Sequence, residues 1–350
     1  MNAFSRPAAP GPLRLLGPAW FAVVMGLAGL ALAWLRAVPL MGQAALGGAL
    51  VAAAAAAGVF AVLVVLSIAR WRRYPQALHD DWRHPVRHVF VATAPLALLL
   101  LATLLAFLDG PLALARALWL VGAAAQLAVS AAFVRRWLQP SAGAAPLITL
   151  VTPAFLIPGV GNVVPALAGP ALGYAGWAAA QLGIGAMLWL LILAMIVVRL
   201  ASYGPWPVPQ LPATFVTIAP PSVIGLGLLQ FGAGEAAGMA LWGVALLFLL
   251  FSAAVARRML EQGFTMVFWA LSFPLTAFAA LTLRLARAAV PLMQLAAIAM
   301  LALASLVVLW LAWSTVQGLR RGDLLKPEPG MPAASPAGEQ FVAQGERPAP

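Results

Sequence analysis

The chain has 350 residues, 64% of them hydrophobic and only 8% charged. Soluble domains carry about 25% charged residues, so this composition excludes a soluble globular domain and indicates an integral membrane protein. The absence of cysteine removes disulfide frameworks and thiolate metal sites. The net charge of +11 sits in short segments between apolar runs without interleaved aromatics, which is the pattern of topology signals and not of a nucleic-acid face.

In chain order, residues 1–14 are short and Pro-rich and read as a cytoplasmic tail. The first apolar run, about 15–35, exceeds the 7–15 residues of a cleaved signal core and reads as a span. Further runs lie at about 43–69, 87–108, 112–134, 147–168, 171–198, 212–231, 236–256, 264–284 and 291–316. Each is near the roughly 20 residues that a spanning helix needs, which predicts ten transmembrane helices within a domain of residues 15–318. Residues 319–350, rich in Pro, Ala, Gly and Glu, read as a disordered cytoplasmic tail.

With the N-terminus inside, the inside segments hold Arg6, Arg14, Arg70, Arg72, Arg73, Arg83, Arg87, Arg135, Arg136, Arg199, Arg257, Arg258, Arg320, Arg321, Lys326 and Arg347. The outside segments hold Arg36, Arg116, Arg284 and Arg287. This 16-to-4 division of the 20 basic residues predicts both termini in the cytoplasm and an even number of spans across the cell inner (plasma) membrane.

Prolines follow a second pattern. Pro95, Pro153, Pro158, Pro220, Pro221 and Pro274 lie inside the third, fifth, seventh and ninth spans, whereas Pro111, Pro170 and Pro291 stand at or before the starts of even spans. The first span carries Gly26 and Gly29 mid-run instead. The expected architecture is therefore all-α: five helical hairpins, each of one kinked and one straight helix. Kinked helices expose backbone that lipid cannot satisfy, so the odd ones should surround a central pore and the even ones should lie outside.

None of the nine acidic residues falls in the core of a span. This argues against a buried proton relay and against a cation-selective ring of carboxylates. A neutral pore with basic mouths suits anions. His79, His84 and His88 read as loop residues and not as metal ligands, and no nucleophile–base arrangement suggests an enzyme or calls for a cofactor. Gly225, Gly227, Gly232 and Gly234 have no preceding strand and no Gly-Lys-Ser/Thr, so they read as helix packing or a loose helix end, not a phosphate loop. Gly183 and Gly185 on the sixth span suggest packing between subunits.

The odd spans carry Trp20-Phe21 followed by Met25-Gly26-Leu27, His84-Pro85-Val86-Arg87 followed by Phe90, Thr152-Pro153-Ala154-Phe155 followed by Pro158-Gly159, Pro212-Ala213-Thr214-Phe215 followed by Pro220-Pro221, and Ser272-Phe273-Pro274. In this order the chain resembles the TehA-type tellurite-resistance and C4-dicarboxylate transporter family, which includes the plant slow anion channels. The resemblance implies a homotrimer with one pore per subunit, small inorganic or organic anions as cargo, and a pore blocked by a Phe of the ninth span. By position that Phe is Phe273, with Gly26, Pro95, Pro158, Pro220 and Pro274 as the bends of the pore helices. It also leaves open a carrier exporting C4-dicarboxylates or tellurite-type oxyanions, with proton coupling as a possibility that the missing intramembrane acids weigh against.

Overall fold

The computed structural model describes residues 11–84, 87–139, 146–286 and 291–325. These residues form helices and connecting turns, with no strand among them. Among the described residues, nine helices are long and apolar enough to cross a membrane: Pro18–Met41, Gln43–Arg73, Arg87–Phe107, Leu112–Leu138, Ala175–Tyr203, Val208–Gln230, Glu235–Leu260, Met266–Leu285 and Pro291–Arg320. Residues 1–10 and 326–350, which make up most of the two tails and include Arg6, Lys326 and Arg347, lie outside the described residues, as does Arg287.

The predicted fifth span departs from expectation. It is not one long helix but a shorter apolar stretch, Pro153–Leu167, assembled from brief 3₁₀ and α segments. Pro153, Pro158 and Pro165 each lack the N–H that would continue an α ladder. Two boundaries also move. The first span runs to Met41 and so contains Pro39 in its last turn. The sixth begins at Ala175, after a turn that closes on Gly173 at φ 90°. Between the second and third spans the chain forms a short polar helix, Pro75–Arg83, where a loop was expected.

Burial separates two layers. Among the long helices, the odd spans bury 67–83% of their most apolar window and the even spans 11–33%. Each odd span packs against the even span that follows it, and the even span also touches the next odd one; the tenth span reaches back to the first. The even helices are unbroken α-helices of 26–31 residues. At 1.5 Å per residue they are about 39–46 Å long, more than the roughly 30 Å hydrocarbon core. They present apolar residues such as Val65, Leu190, Phe251 and Trp313 outward.

The inner spans follow a different rule. Each enters as a 3₁₀ segment and continues as an α segment: Pro18–Trp20 into Phe21–Met41, Arg87–Ala92 into Thr93–Phe107, Val208–Ile218 into Ala219–Gln230, and Met266–Leu271 into Ser272–Leu285. In the fifth span Pro153–Phe155 leads into Leu156–Val160. Pro95, Pro158, Pro221 and Pro274 are each the third residue of their α segment, and Pro220 is the second. A proline there sits in the first α turn, where an N–H has no α partner anyway, and its ring disfavours α geometry in the residues before it. These prolines therefore stand at changes of helix type. Gly26 differs, because α geometry runs unbroken through it.

Candidate pore

Contacts between the inner spans follow chain order and close on themselves. Helix Phe21–Met41 packs on Thr93–Phe107, that helix on Gly161–Leu167, that segment on Ala219–Gln230, that helix on Ser272–Leu285, and the last returns to Phe21–Met41. The 3₁₀ entries repeat the same closed order at one end of the molecule. That end carries Arg14, Arg70, Arg87 and Arg136 and is called here the basic end. For helix axes 8–10 Å apart, a ring of five places each axis about 7–8.5 Å from its centre. Helices with side chains have radii of about 5–6 Å, so a central space of about 1–3 Å radius remains.

Small residues draw the ring together where the first span meets the ninth. A Cβ at Gly26 would collide with Ser272 Oγ and lie 2.9 Å from the Trp269 ring. A Cβ at Gly29 would collide with Thr276 Oγ1 and lie 3.2 Å from Phe273 Cδ2. The contacts thus make Gly26 a point of close helix approach, where the sequence suggested a bend. Gly29 seats the Phe273 ring.

Phe273 is also singled out by exposure. From Leu271 to Leu283 every residue is buried except Phe273. Likewise Ile157 is the one partly exposed residue between Val151 and Gly169, and Thr214 the one between Leu211 and Gly227. These three residues stand on segments of the inner spans that are otherwise buried. The other ninth-span aromatics point elsewhere. Phe268 packs on Phe264 and Trp310, Trp269 donates to Thr315 Oγ1 at 2.8 Å, and Phe278 stacks on Trp242. Trp310 and Thr315 lie on the tenth span and Trp242 on the eighth.

The inner spans carry no Asp, Glu, Lys, Arg or His over 18–35, 89–107, 147–172, 208–230 or 266–283. Hydroxyls along them are turned to the backbone: Thr93 Oγ1 lies within hydrogen-bond distance of both Phe90 O and Pro18 O and donates to one of them, while Thr214 donates to Leu211 O, Ser222 to Ile218 O, Ser272 to Trp269 O and Thr276 to Phe273 O. This local bonding satisfies carbonyls near the helix-type junctions and leaves a neutral surface.

The fifth span needs more help, because its broken ladder frees several carbonyls. Gln126 Nε2 and Ser130 Oγ donate to Pro158 O at 3.1 and 2.5 Å, and Trp119 Nε1 donates to Pro165 O at 3.2 Å. Trp206 serves Val151 O and Gln230 serves Leu167 O. Asn162 donates to Ser130 Oγ at 2.7 Å and accepts from Gln181 Nε2 at 3.3 Å. Gln126, Ser130, Asn162 and Gln181 are at most 2% exposed. Sequence reasoning passed over this network; its signal was a set of isolated polar residues on otherwise apolar even spans. Gly185 belongs here too. A Cβ there would lie 2.9 Å from Val163 N, so it packs within the chain, not between subunits, while a Cβ at Gly183 meets nothing within 4 Å.

At the basic end Asp81 is 2% exposed and pairs with Arg70 at 2.7 Å and Arg87 at 3.6 Å. His88 is buried and stacks on Phe133, while His79 is exposed. Gly225 and Gly227 admit Leu281 and Ala166 from neighbouring spans, and Gly232 ends its helix at φ 83°.

Comparison with known proteins agrees with this architecture. The family model described as voltage-dependent anion channel matches residues 16–316. A tellurite resistance protein TehA homolog of Haemophilus influenzae is 27% identical over 266 residues, covering 74% of this chain and 78% of its own. An uncharacterized transporter of Methanocaldococcus jannaschii is 27% identical over 49% of this chain and 51% of its own. An S-type anion channel of Arabidopsis thaliana is 27% identical over 60% of this chain and 40% of its own. The chain belongs to the voltage-dependent anion channel family.

Proposed function

We propose that the protein is a gated pathway for small inorganic or organic anions, with a pore along the axis of each subunit's inner ring and Phe273 as its closed gate. The observation that carries this reading is the isolated exposure of Phe273 on an otherwise buried inner helix, with its ring seated on Gly29. A phenyl ring in a neutral space a few Å wide excludes water, and an ion cannot cross without losing its hydration. The uncharged wall and the excess of arginine at one end favour anions over cations. Opening moves the ring off its seat at the junction marked by Pro274; Pro95, Pro158 and Pro220 mark the corresponding joints of the other inner spans. In this proposal the domain of residues 15–318 forms a homotrimer in the cell inner membrane, with both tails cytoplasmic.

The test is planar-bilayer recording of purified protein across an anion series. Phe273→Ala should raise anion conductance many-fold. Equal currents from wild type and variant, with folding intact, would remove Phe273 as the gate. A second reading is export of C4-dicarboxylates or tellurite-type oxyanions; of these, the name of the Haemophilus relative speaks only for tellurite. Vesicle flux separates the two, since a proton-coupled carrier changes lumenal pH as cargo moves and a channel does not.

A further inference from the structure

A groove of about 320 Å³ opens at the basic end, lined by the first, second and third spans. The second span contributes Val64, Ser67, Ile68 and Trp71, a single stripe at i, i+3, i+4 and i+7. Pro18 and Phe21 of the first span and Val91 and Ala94 of the third form the floor. From Val64 to Trp71 the stripe is about 10 Å long at 1.5 Å per residue. Apart from Ser67 its walls are apolar along this length, and charge enters at one end, where Arg70 and Tyr74 line it.

Charge at that end is one-sided. Arg70, Arg72 and Arg73 occupy the last turn of the second span, and Arg14 lies beside them, its backbone carbonyl accepting from Arg70 Nε at 3.1 Å. Asp81 is used by Arg70, and Asp80 stands 4.0 Å from Arg14. Four arginines thus face two aspartates. Arg72 and Arg73 are exposed and Trp71 is 61% exposed, the usual composition of a headgroup-level anchor. An apolar slot ending in surplus arginine at the membrane surface matches one occupant in shape and charge.

We propose that this groove is a binding site for one anionic glycerophospholipid, its acyl chain lying along Val64–Trp71 and its phosphate at the end lined by Arg70 and Tyr74, in the field of the exposed Arg72 and Arg73 of the same helix end. The lipid bridges the helix-type junctions of the first and third spans, since Phe21 opens one α segment and Ala94 is the second residue of the other.

The site is tested without any transport measurement, so its outcome is separate from that of the proposed gate. Delipidated protein is titrated with phosphatidylglycerol and with phosphatidylcholine of the same chains, and bound lipid is counted by native mass spectrometry. Wild type should retain phosphatidylglycerol preferentially. The exposed pair Arg72→Gln/Arg73→Gln should lose that preference by roughly 30-fold, equivalent to the about 2 kcal/mol that two basic residues contribute near anionic lipid. Ser67→Phe, which fills the slot, should lose the bound lipid with the number of chains per particle unchanged. Equal retention of the two lipids by wild type, or undiminished lipid in Ser67→Phe, would overturn the site. A change in chain number with lipid unaltered would overturn it in favour of a contact between copies.

Discussion

Four aromatic residues crowd the ninth span within eleven positions, and helical physics alone gives no reason to prefer one of Phe268, Trp269, Phe273 and Phe278. The resemblance to a family selected Phe273 in the sequence; contacts separate it in the structure. Phe278 is 1% exposed against Trp242, so Phe278→Ala leaves a cavity and should lower stability by about 3–5 kcal/mol without raising conductance. Phe273→Ala removes a partly exposed ring and should cost less stability while opening the path. Thermal unfolding in detergent alongside bilayer recording separates these effects, and a conductance rise in Phe278→Ala would count against the assignment. Gly29 offers a sharper check. Its missing side chain leaves room for Thr276 Oγ1, so Gly29→Ala should destabilise by about 1–3 kcal/mol through overpacking. Thr276→Ala in the same chain removes the colliding hydroxyl and should restore part of that loss. A double-mutant cycle with no coupling would show that the two spans do not meet there as described.

The elements that the sequence disclosed most clearly are the even spans, because an unbroken α-helix of 26–31 mostly apolar residues has one signature whatever surrounds it. The inner spans were legible only as a rhythm of prolines. What those prolines do depended on their place in each α segment, a property set by the packed ring as much as by local sequence. The fifth span was the least legible. Its length looked ordinary, yet its freed carbonyls are satisfied by side chains between 28 and 63 positions away in sequence. Gln126→Leu together with Ser130→Ala would leave Pro158 O without either side-chain donor. Such a buried orphan carbonyl costs about 1–3 kcal/mol, and more than the two single changes together, since either donor alone still serves it. Additive losses in thermal unfolding would mean that the two side chains do not share that carbonyl. The short helix Pro75–Arg83 was missed because nine mostly polar residues have no spanning signature, although Pro75 at its first position was a local cue.

At the scale of the molecule, one arrangement accounts for both patterns in the sequence. Five inner spans in a closed ring all run from the basic end, and five outer helices return to it in the seams, so every turn at that end can collect arginine. Arg14, Arg70, Arg72, Arg73, Arg83, Arg87, Arg135, Arg136, Arg199, Arg257, Arg258, Arg320 and Arg321 lie there, against Arg36, Arg116 and Arg284 at the other end, among the described residues. The broken fifth span keeps its place in this alternation despite its shortness; without it, every later arginine cluster would fall on the wrong side. Charge at turns is what fixes orientation during insertion, so the basic end should face the cytoplasm. The chain's lack of cysteine makes that a direct measurement. Arg73→Cys ends the second span at the basic end, and Glu235→Cys opens the eighth at the other; both positions are exposed. In intact cells a membrane-impermeant maleimide should label Glu235→Cys and spare Arg73→Cys, and permeabilisation should make both reactive. The reverse pattern would invert the orientation. Labelling of both positions in intact cells would mean that the charge alternation, and with it the spanning role of the fifth segment, does not hold.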